Sequence, residues 1–240
     1  MIIYPDIELQ NGKCVNLVRG LMDQPVVYDK DPLEAAVDFQ NDGAQWLHII
    51  DLDAVGLREN DNYELVCKII DTVHIPVQVA GGIRSMASVE WWLEHGAARV
   101  VVGTAAVKDP HFIKEACGRF PGKVVVSVDA RGDKVMMEGW TEATSFTALE
   151  FARQYETDDI AAIIFTDIDR DDDLPESSLA TTTNLATKLI MPVIASGPVK
   201  SLDDISTLKY LPNIAGAITG RALFGGAFTL AEAIEVADAQ

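Results

Sequence analysis

The sequence has little positive charge. Lys and Arg total 19 against 37 Asp and Glu, which gives a formal net charge of −18 at pH 7. Nucleic acids are bound by clustered Lys and Arg, so this balance argues against DNA or RNA as a partner. The acidic excess indicates a highly charged, well-solvated surface.

Cysteines are few, and long apolar runs are missing. Cys14, Cys67 and Cys117 make an odd number without CxxC spacing, which predicts reduced thiols rather than a disulfide framework. The N-terminus MIIYPDIELQ lacks the basic start and apolar run of a signal peptide. No apolar stretch approaches the roughly 18 residues that a membrane span needs. We therefore expect a cytoplasmic protein with no membrane partner, present as a monomer or weak homo-oligomer.

Histidines are also scarce and scattered. His48, His74, His95 and His111 do not have the spacing of metal ligands, so the sequence predicts no metal site.

Short β-branched runs recur along all 240 residues, and 48% of the residues are hydrophobic. Segments with helical spacing separate these runs, as at 32–42, 86–95, 110–119 and 201–210. Continuous apolar strands that alternate with helices give an α/β fold, either an open doubly wound sheet or a closed barrel. Polar residues directly after the strands favour a single (β/α)8 TIM barrel, which typically takes about 250 residues. The eight predicted strands are IIYPDI, WLHIID, PVQVA, RVVVG, KVVVSVD, AAIIFTD, MPVIAS and AGAIT.

The two halves of the chain resemble each other. The segment GGIRS at 81–85 is matched by GPVKS at 197–201, and GTA at 103–105 is matched by GRA at 220–222. Within the first half, Gly103 follows Gly81 by 22 residues, and within the second half, Gly220 follows Gly197 by 23. The sequence therefore predicts two half-barrels, at about 1–120 and 121–240, related by a pseudo-twofold axis.

The matched glycine segments predict two phosphate sites. Glycine after a strand lets the backbone approach a ligand and direct N–H groups at it, and the following helix adds a positive end. Two such sites at opposite sides of the barrel mouth would bind a small substrate with phosphate at both ends. The predicted phosphate-binding residues are Gly81, Gly82, Gly103 and Thr104 in the first half, with Ser196, Gly197, Gly220 and Arg221 in the second.

Two carboxylates end symmetry-related strands, Glu8 on the first strand and Asp129 on the fifth. Carboxylates that face each other across a substrate suit paired proton transfer, with one acting as base and the other as acid. The alternative is that each caps a helix or pairs with a basic neighbour such as Arg131.

The motifs HIIDLDAVG, PVQVAGGIRS, VSVDARGDKV, GWTEAT, TDIDRD and ITGRALFGG resemble, over nearly the full length, the histidine-biosynthetic phosphoribosylformimino-aminoimidazole carboxamide ribotide isomerase family. The resemblance implies an Amadori rearrangement of a bisphosphorylated ribotide without cofactor or metal. It also implies that Asp129 opens the ribose ring and that Glu8 removes the proton from C2. Asp171 and Thr166 would assist, and Trp140 would pack on the substrate.

Four departures from the family pattern surround the predicted site. Glu8 replaces an aspartate, Asn16 replaces an arginine, Asp172 and Asp173 replace Gly-Thr, and Pro198 replaces the second glycine of its segment. The longer Glu8 matters because a misplacement of about 1 Å can cost on the order of 100-fold in rate. These departures keep two alternatives open: a paralogue acting on another phosphosugar, and a barrel that binds a phosphorylated metabolite without turnover.

Asp6 lies two residues before Glu8 and therefore shares its face of the strand. It is either a structural residue with a buried partner or one member of a proton-sharing pair with Glu8.

Overall fold

The computed structural model describes residues 1–18, 20–56, 62–171, 179–197 and 199–239, with the backbone alone for Arg170 and Asp171. The strands in these ranges are β1 (Ile2–Gln10), β2 (Lys13–Asn16), β3 (Val26–Val27), β4 (Leu47–Asp51), β5 (Val77–Ala80), β6 (Arg99–Val102), β7 (Val124–Arg131), β8 (Lys134–Met137), β9 (Glu142–Thr147), β10 (Ala162–Asp167), β11 (Val193–Ser196) and β12 (Ile214–Thr219).

Helices separate the longer strands. In chain order they are α1 (Pro32–Asn41), α2 (Leu52–Val55), α3 (Asn62–Thr72), α4 (Met86–Glu94), α5 (Thr104–Lys108), α6 (Pro110–Arg119), α7 (Ala148–Arg153), α8 (Ile168–Asp171), α9 (Ala180–Lys188), α10 (Leu202–Leu208), α11 (Arg221–Phe224) and α12 (Leu230–Asp238). Among the described residues, no helix has the length and apolar character needed to cross a membrane.

Eight parallel strands close into a barrel in the order β1, β4, β5, β6, β7, β10, β11, β12 and back to β1. The closing pair places Tyr4 of β1 beside Ile218 of β12. All eight predicted strands are present, and the (β/α)8 TIM barrel is confirmed. Closure places the carboxyl ends of all eight strands around one opening.

Polar caps determine where the helices begin. Asp31 accepts from two backbone N–H groups of α1, whose first residue is Pro32. Ser85 and Ser201 form capping boxes at the starts of α4 and α10. The helix predicted at 201–210 begins at Leu202, because Ser201 is its cap, and it ends at Leu208.

The core has two layers. Inside the barrel, the side chains of Tyr4, Val101, Val125 and Ile164 pack together. Outside it, a larger cluster lies between the sheet and the helices, and Trp92 is buried there. Strands covered on both sides explain the continuous apolar runs in the sequence.

Two antiparallel hairpins extend from the barrel and were not predicted. Strands β2 and β3 follow β1, and strands β8 and β9 follow β7. Each hairpin comes after the first strand of a predicted half-barrel. The half-barrel boundaries at about residue 120 themselves stay a prediction.

Candidate active site

A cavity opens at the carboxyl ends of the barrel strands and brings together most of the predicted site residues. Those that line it are Asp6, Glu8, Gly81, Gly82, Gly103, Thr104, Asp129, Trp140, Thr166 and Ser196. Chemistry at this end of the barrel is the rule for the fold.

Asp129 accepts hydrogen bonds on both carboxylate oxygens. The hydroxyl of Ser127 donates to Oδ1 at 2.9 Å, and the indole Nε1–H of Trp140 donates to Oδ2 at 2.9 Å. Ser127 lies two residues earlier on the same strand, so both side chains point into the barrel. The carboxylate therefore has a fixed orientation at the edge of the cavity.

Trp140 reaches Asp129 from the hairpin β8–β9 and covers part of the mouth. Its ring lies against Gly20 of the loop between β2 and β3, where an added Cβ would be 2.7 Å from Cε3. The two hairpins therefore meet over the cavity, and Gly20 leaves space for the indole.

Glu8 faces the cavity from the side opposite Asp129. Strand β7, which carries Asp129, is the fourth neighbour of β1 in either direction around the barrel. The backbone N–H of Leu17 donates to Oε2 of Glu8 at 3.1 Å. The hairpin of β2 and β3, which follows β1 and is called the β1 hairpin, therefore contacts the Glu8 carboxylate through Leu17. Glu8 is half-buried and lines the cavity.

Thr166 and Ser196 continue the polar rim beyond Asp129. Thr166 of β10 pairs in register with Asp129 on one side and with Ser196 of β11 on the other. The register therefore places three polar groups on neighbouring strands at one height, with Thr166 next to the carboxylate that was predicted to act as acid.

The first glycine segment forms one wall of the cavity. Close packing explains why both of its first two residues are glycine. Gly81 has φ 103°, and a Cβ there would lie 2.2 Å from the carbonyl oxygen of Asp51. A Cβ at Gly82 would lie 2.6 Å from Cβ of Ala54. Both glycines are thus required by close packing on the preceding β/α unit. Their role in phosphate binding stays a prediction.

Gly103 and Thr104 stand beside this segment, directly after the next strand, β6. Gly103 precedes the first turn of α5, and an added Cβ there would make an ordinary van der Waals contact with Cβ of Ser127 at 3.9 Å. Arg84 donates to the carbonyls of Ala54 at 2.9 Å and Val55 at 2.8 Å, which fixes the loop after Gly82. Arg84 is the single cation among the described lining residues.

Ser196 of the second predicted phosphate set lines this cavity. Within the described ranges, Gly197, Gly220 and Arg221 are outside its lining. The Nε–H of Arg221 donates to Oδ1 of Asn16 at 2.6 Å, and Nη2–H donates to the carbonyl of Leu17 at 3.1 Å. Asn16, which replaces an expected arginine, therefore anchors an arginine from the opposite end of the chain. The second phosphate site stays a prediction.

Asp6 lies one layer below Glu8, as the strand alternation predicts, and is 6% exposed. It pairs in register with His48, whose ring Nδ1 lies 3.0 Å from Nε2 of Gln78. Burial lowers the pKa of His48 to about 3, so the ring is neutral at physiological pH. An added Cβ at Gly220 would lie 3.4 Å from Oδ2 of Asp6, so this carboxylate points toward β12.

Several predicted positions lie outside the described residues. They are Asp172, Asp173 and Pro198 entirely, and the side chain of Asp171, whose backbone ends α8.

Sequence reasoning missed Ser127, Leu17 and Gly20. Ser127 could have been found, because it precedes Asp129 by two residues on a strand and so shares its face. Leu17 and Gly20 carry no comparable signal, since their contacts depend on how the β1 hairpin folds back over the mouth.

Comparison with known proteins identifies the family to which the chain belongs. A model of the histidine biosynthesis protein family matches residues 2–229. The chain belongs to this family.

Curated relatives in the family match the chain from end to end. A relative from Paramagnetospirillum magneticum is 46% identical over 234 residues, which is 98% of each chain. One from a Geobacter species is 46% identical over 242 residues and covers both chains completely. Both are named 1-(5-phosphoribosyl)-5-((5-phosphoribosylamino)methylideneamino)imidazole-4-carboxamide isomerase. A relative from Ruegeria pomeroyi, named as isomerase 2 of the same type, is 46% identical over 237 residues, 99% of this chain and 96% of its own.

Proposed function

We propose that the chain is an isomerase of histidine biosynthesis that converts the bisphosphorylated aminoaldose ribotide into its aminoketose. The observation that carries this proposal is the placement of Glu8 and Asp129 on opposite strands of one cavity. An Amadori rearrangement needs an acid at the ring oxygen and a base at C2 of the same sugar. Family membership supports the reaction class, since the full-length relatives bear the name of this isomerase.

Ring opening is the task that suits Asp129. A proton passes from its carboxyl group to the ring oxygen of the ribose, the bond between that oxygen and C1 breaks, and the electron pair of the nitrogen forms a C1=N bond. The contacts from Ser127 and Trp140 fix the direction of the carboxyl group. Preorganisation of this kind increases the rate, because the acid does not have to be oriented during the reaction.

Proton removal from C2 is the task that suits Glu8. Loss of that proton produces an enolamine that still carries the C2 hydroxyl. C1 then takes up a proton and the C2 hydroxyl loses one, which gives the C2 ketone with the same composition as the substrate. Glu8 lines the cavity, and the N–H of Leu17 orients its carboxylate, which is the candidate base.

Substrate phosphate would bind at Gly103 and Thr104. Together with Gly81 and Gly82, these residues form the first predicted phosphate site, the first phosphate cradle. With Asp6, Glu8 and Asp129 also in the wall, the described lining has more acids than cations. Binding of an anion there must rely on backbone N–H groups and hydroxyls, together with Arg84. The second phosphate would bind near Gly197, Gly220 and Arg221.

The test is turnover of the purified ribotide by the wild type and by three variants. We expect Glu8→Gln and Asp129→Asn to lower kcat by about 10² to 10⁴, the usual contribution of general acid–base catalysis. Glu142→Gln, on an exposed position of β9, is the matched control and should keep wild-type turnover. A wild type that binds the ribotide without converting it would contradict the proposal.

A second candidate is isomerisation of a smaller phosphosugar with one phosphate. The observation that favours it is that Arg221 donates to Asn16 and to the carbonyl of Leu17. These hydrogen bonds direct the cation to the β1 hairpin instead of a second phosphate. Comparing kcat/KM for the ribotide and for a monophosphorylated aminoaldose separates the two candidates. Higher kcat/KM for the smaller compound would favour the second.

A further inference from the structure

The turn at the tip of the hairpin β8–β9 has an unusual backbone. Glu138, Gly139 and Trp140 have φ values of 51°, 63° and 69°, three left-handed residues in succession. Residues with side chains rarely adopt this conformation, and it persists where the surrounding structure holds it. Two of the three residues here carry side chains, one of them the tryptophan that contacts Asp129.

Glu138 fixes this turn to helix α5. Its backbone N–H donates to Oγ1 of Thr104 at 3.1 Å, and its carboxylate forms an ion pair with the ammonium of Lys108. Thr141 closes the turn from the other side, with its hydroxyl donating to the carbonyl of Glu138 at 2.7 Å. Glu138 therefore has contacts through its N–H, its side chain and its carbonyl.

The fixed turn presents the indole of Trp140 to the acid. Its Nε1–H donates to Oδ2 of Asp129 at 2.9 Å. Thr104, at the other end of the same chain of contacts, lines the first phosphate cradle. A threonine hydroxyl has one proton and two acceptor positions, so Thr104 can accept from Glu138 and still donate to a phosphate oxygen.

We propose that Glu138 is a positioning residue for the acid, acting through Trp140 and linking Asp129 to the first phosphate cradle. The roles of Asp129 and Thr104 in this inference rest on the proposed function. Lys108 is the partner that orients Glu138. Neither residue touches the reacting atoms, and neither lines the cavity beside Asp129.

The ion pair is well suited to a test that leaves the fold intact. The side chain of Lys108 is 58% exposed and that of Glu138 is 34% exposed. Exposed ion pairs contribute little to folding stability. A loss of turnover in a variant of Glu138 therefore reports on the position of Trp140 rather than on unfolding.

The first experiment compares Glu138→Gln with Glu142→Gln, which makes the same charge change elsewhere in the hairpin. We expect Glu138→Gln to lower kcat about three- to fivefold, in proportion to the small energy of an exposed pair. KM for the ribotide should stay within about twofold, because the cradle N–H groups are unchanged. Lys108→Met should reproduce the effect, and Glu142→Gln should show none.

Exchanging the two charges of the ion pair tests whether kcat can be restored. The double variant Lys108→Glu with Glu138→Lys restores an ion pair of opposite direction between an exposed and a half-buried position. We expect its kcat to return to within about twofold of the wild type, as required if the pair itself positions the turn. A kcat below that of both single variants would overturn the inference.

A spectroscopic measurement makes the result independent of turnover. Acrylamide quenching attributable to Trp140 is obtained as the difference between each protein and the same protein with Trp140→Phe. We expect this quenching to increase in Glu138→Gln and to be unchanged in Glu142→Gln, because a released turn exposes the indole.

The two measurements separate the two proposals. A wild type without turnover would contradict the proposed function, while the quenching comparison would still test the contact between Glu138 and the turn. Equal quenching and equal kcat in Glu138→Gln and Glu142→Gln would overturn the positioning role.

Discussion

The backbone N–H of Leu17 donates to Oε2 of Glu8, and the carbonyl of the same residue accepts from Nη2–H of Arg221. One residue in the β1 hairpin is thus bonded to the carboxylate of the first strand and to the arginine that follows the last strand. The position of the longer Glu8 depends on a loop that closes over the cavity mouth. The position of the Glu8 carboxylate is therefore adjusted to this loop.

Shortening Glu8 tests that adjustment. Glu8→Asp withdraws the carboxylate by one methylene from both Leu17 and the cavity, a shift of about 1 Å. We expect kcat to fall by on the order of 10- to 100-fold, with unfolding in urea unchanged. The measurement is steady-state turnover of the ribotide. An increase in kcat would contradict the view that the site is built around glutamate.

Two glycine substitutions separate packing from phosphate binding. Gly81→Ala places a Cβ 2.2 Å from the carbonyl of Asp51, so we expect a loss of folding stability of about 3 kcal/mol, the upper end for overpacking. Gly103→Ala meets no atom closer than 3.9 Å and should change stability by less than about 1 kcal/mol, while weakening the binding of inorganic phosphate. Urea unfolding and calorimetric titration check both. Equal stability of the two variants would contradict this division.

Asp6 is tested through the pH dependence of kcat/KM. Its carboxylate lies one layer below Glu8 and beside the neutral His48, with Asp129 across the barrel. Removing a negative charge favours the ionised form of a nearby carboxylate, so we expect Asp6→Asn to move the acidic limb of the profile to lower pH. An unshifted profile with full activity would assign Asp6 a structural role.

Burial of His48 predicts a dependence of stability on pH. Its pKa is about 3 in the folded protein and about 6.5 when unfolded, so the unfolded chain binds an extra proton between these values. The stability present above pH 6.5 is therefore lost as the pH falls toward 3. Between pH 7 and 5, we expect the wild type to lose about 2 kcal/mol more than His48→Asn.

Urea unfolding at the two pH values gives this difference. The matched control is His111→Asn, which removes a histidine from an exposed position and should lose the same stability as the wild type. A wild type and His48→Asn with parallel pH dependence would show that the ring of His48 accepts a proton in the folded state.

The barrel could be predicted because its strands leave a strong pattern in the sequence. Strands such as β7 and β10 are buried on both faces and read as continuous apolar runs. The hairpins left no such pattern, since β9 is the mostly exposed segment EATSFT and β3 has two residues. Register and closure then place Glu8, Asp129 and Thr166 around one opening.

The details of the site were harder to predict, since they depend on long-range packing. The pair Gly81 and Gly82 was interpreted as an approach to a ligand, whereas contacts with Asp51 and Ala54 already require glycine there. The contact of Trp140 with Asp129 needs the left-handed turn, which local sequence does not specify.

Turnover of ribotide carrying deuterium at C2 tests the central claim, that Glu8 and Asp129 act on one substrate from opposite sides of the barrel. We expect conversion to the ketose by the wild type, a primary isotope effect on kcat/KM, and loss of conversion in both Glu8→Gln and Asp129→Asn. Conversion by Glu8→Gln at the wild-type rate, or no conversion by the wild type, would contradict it.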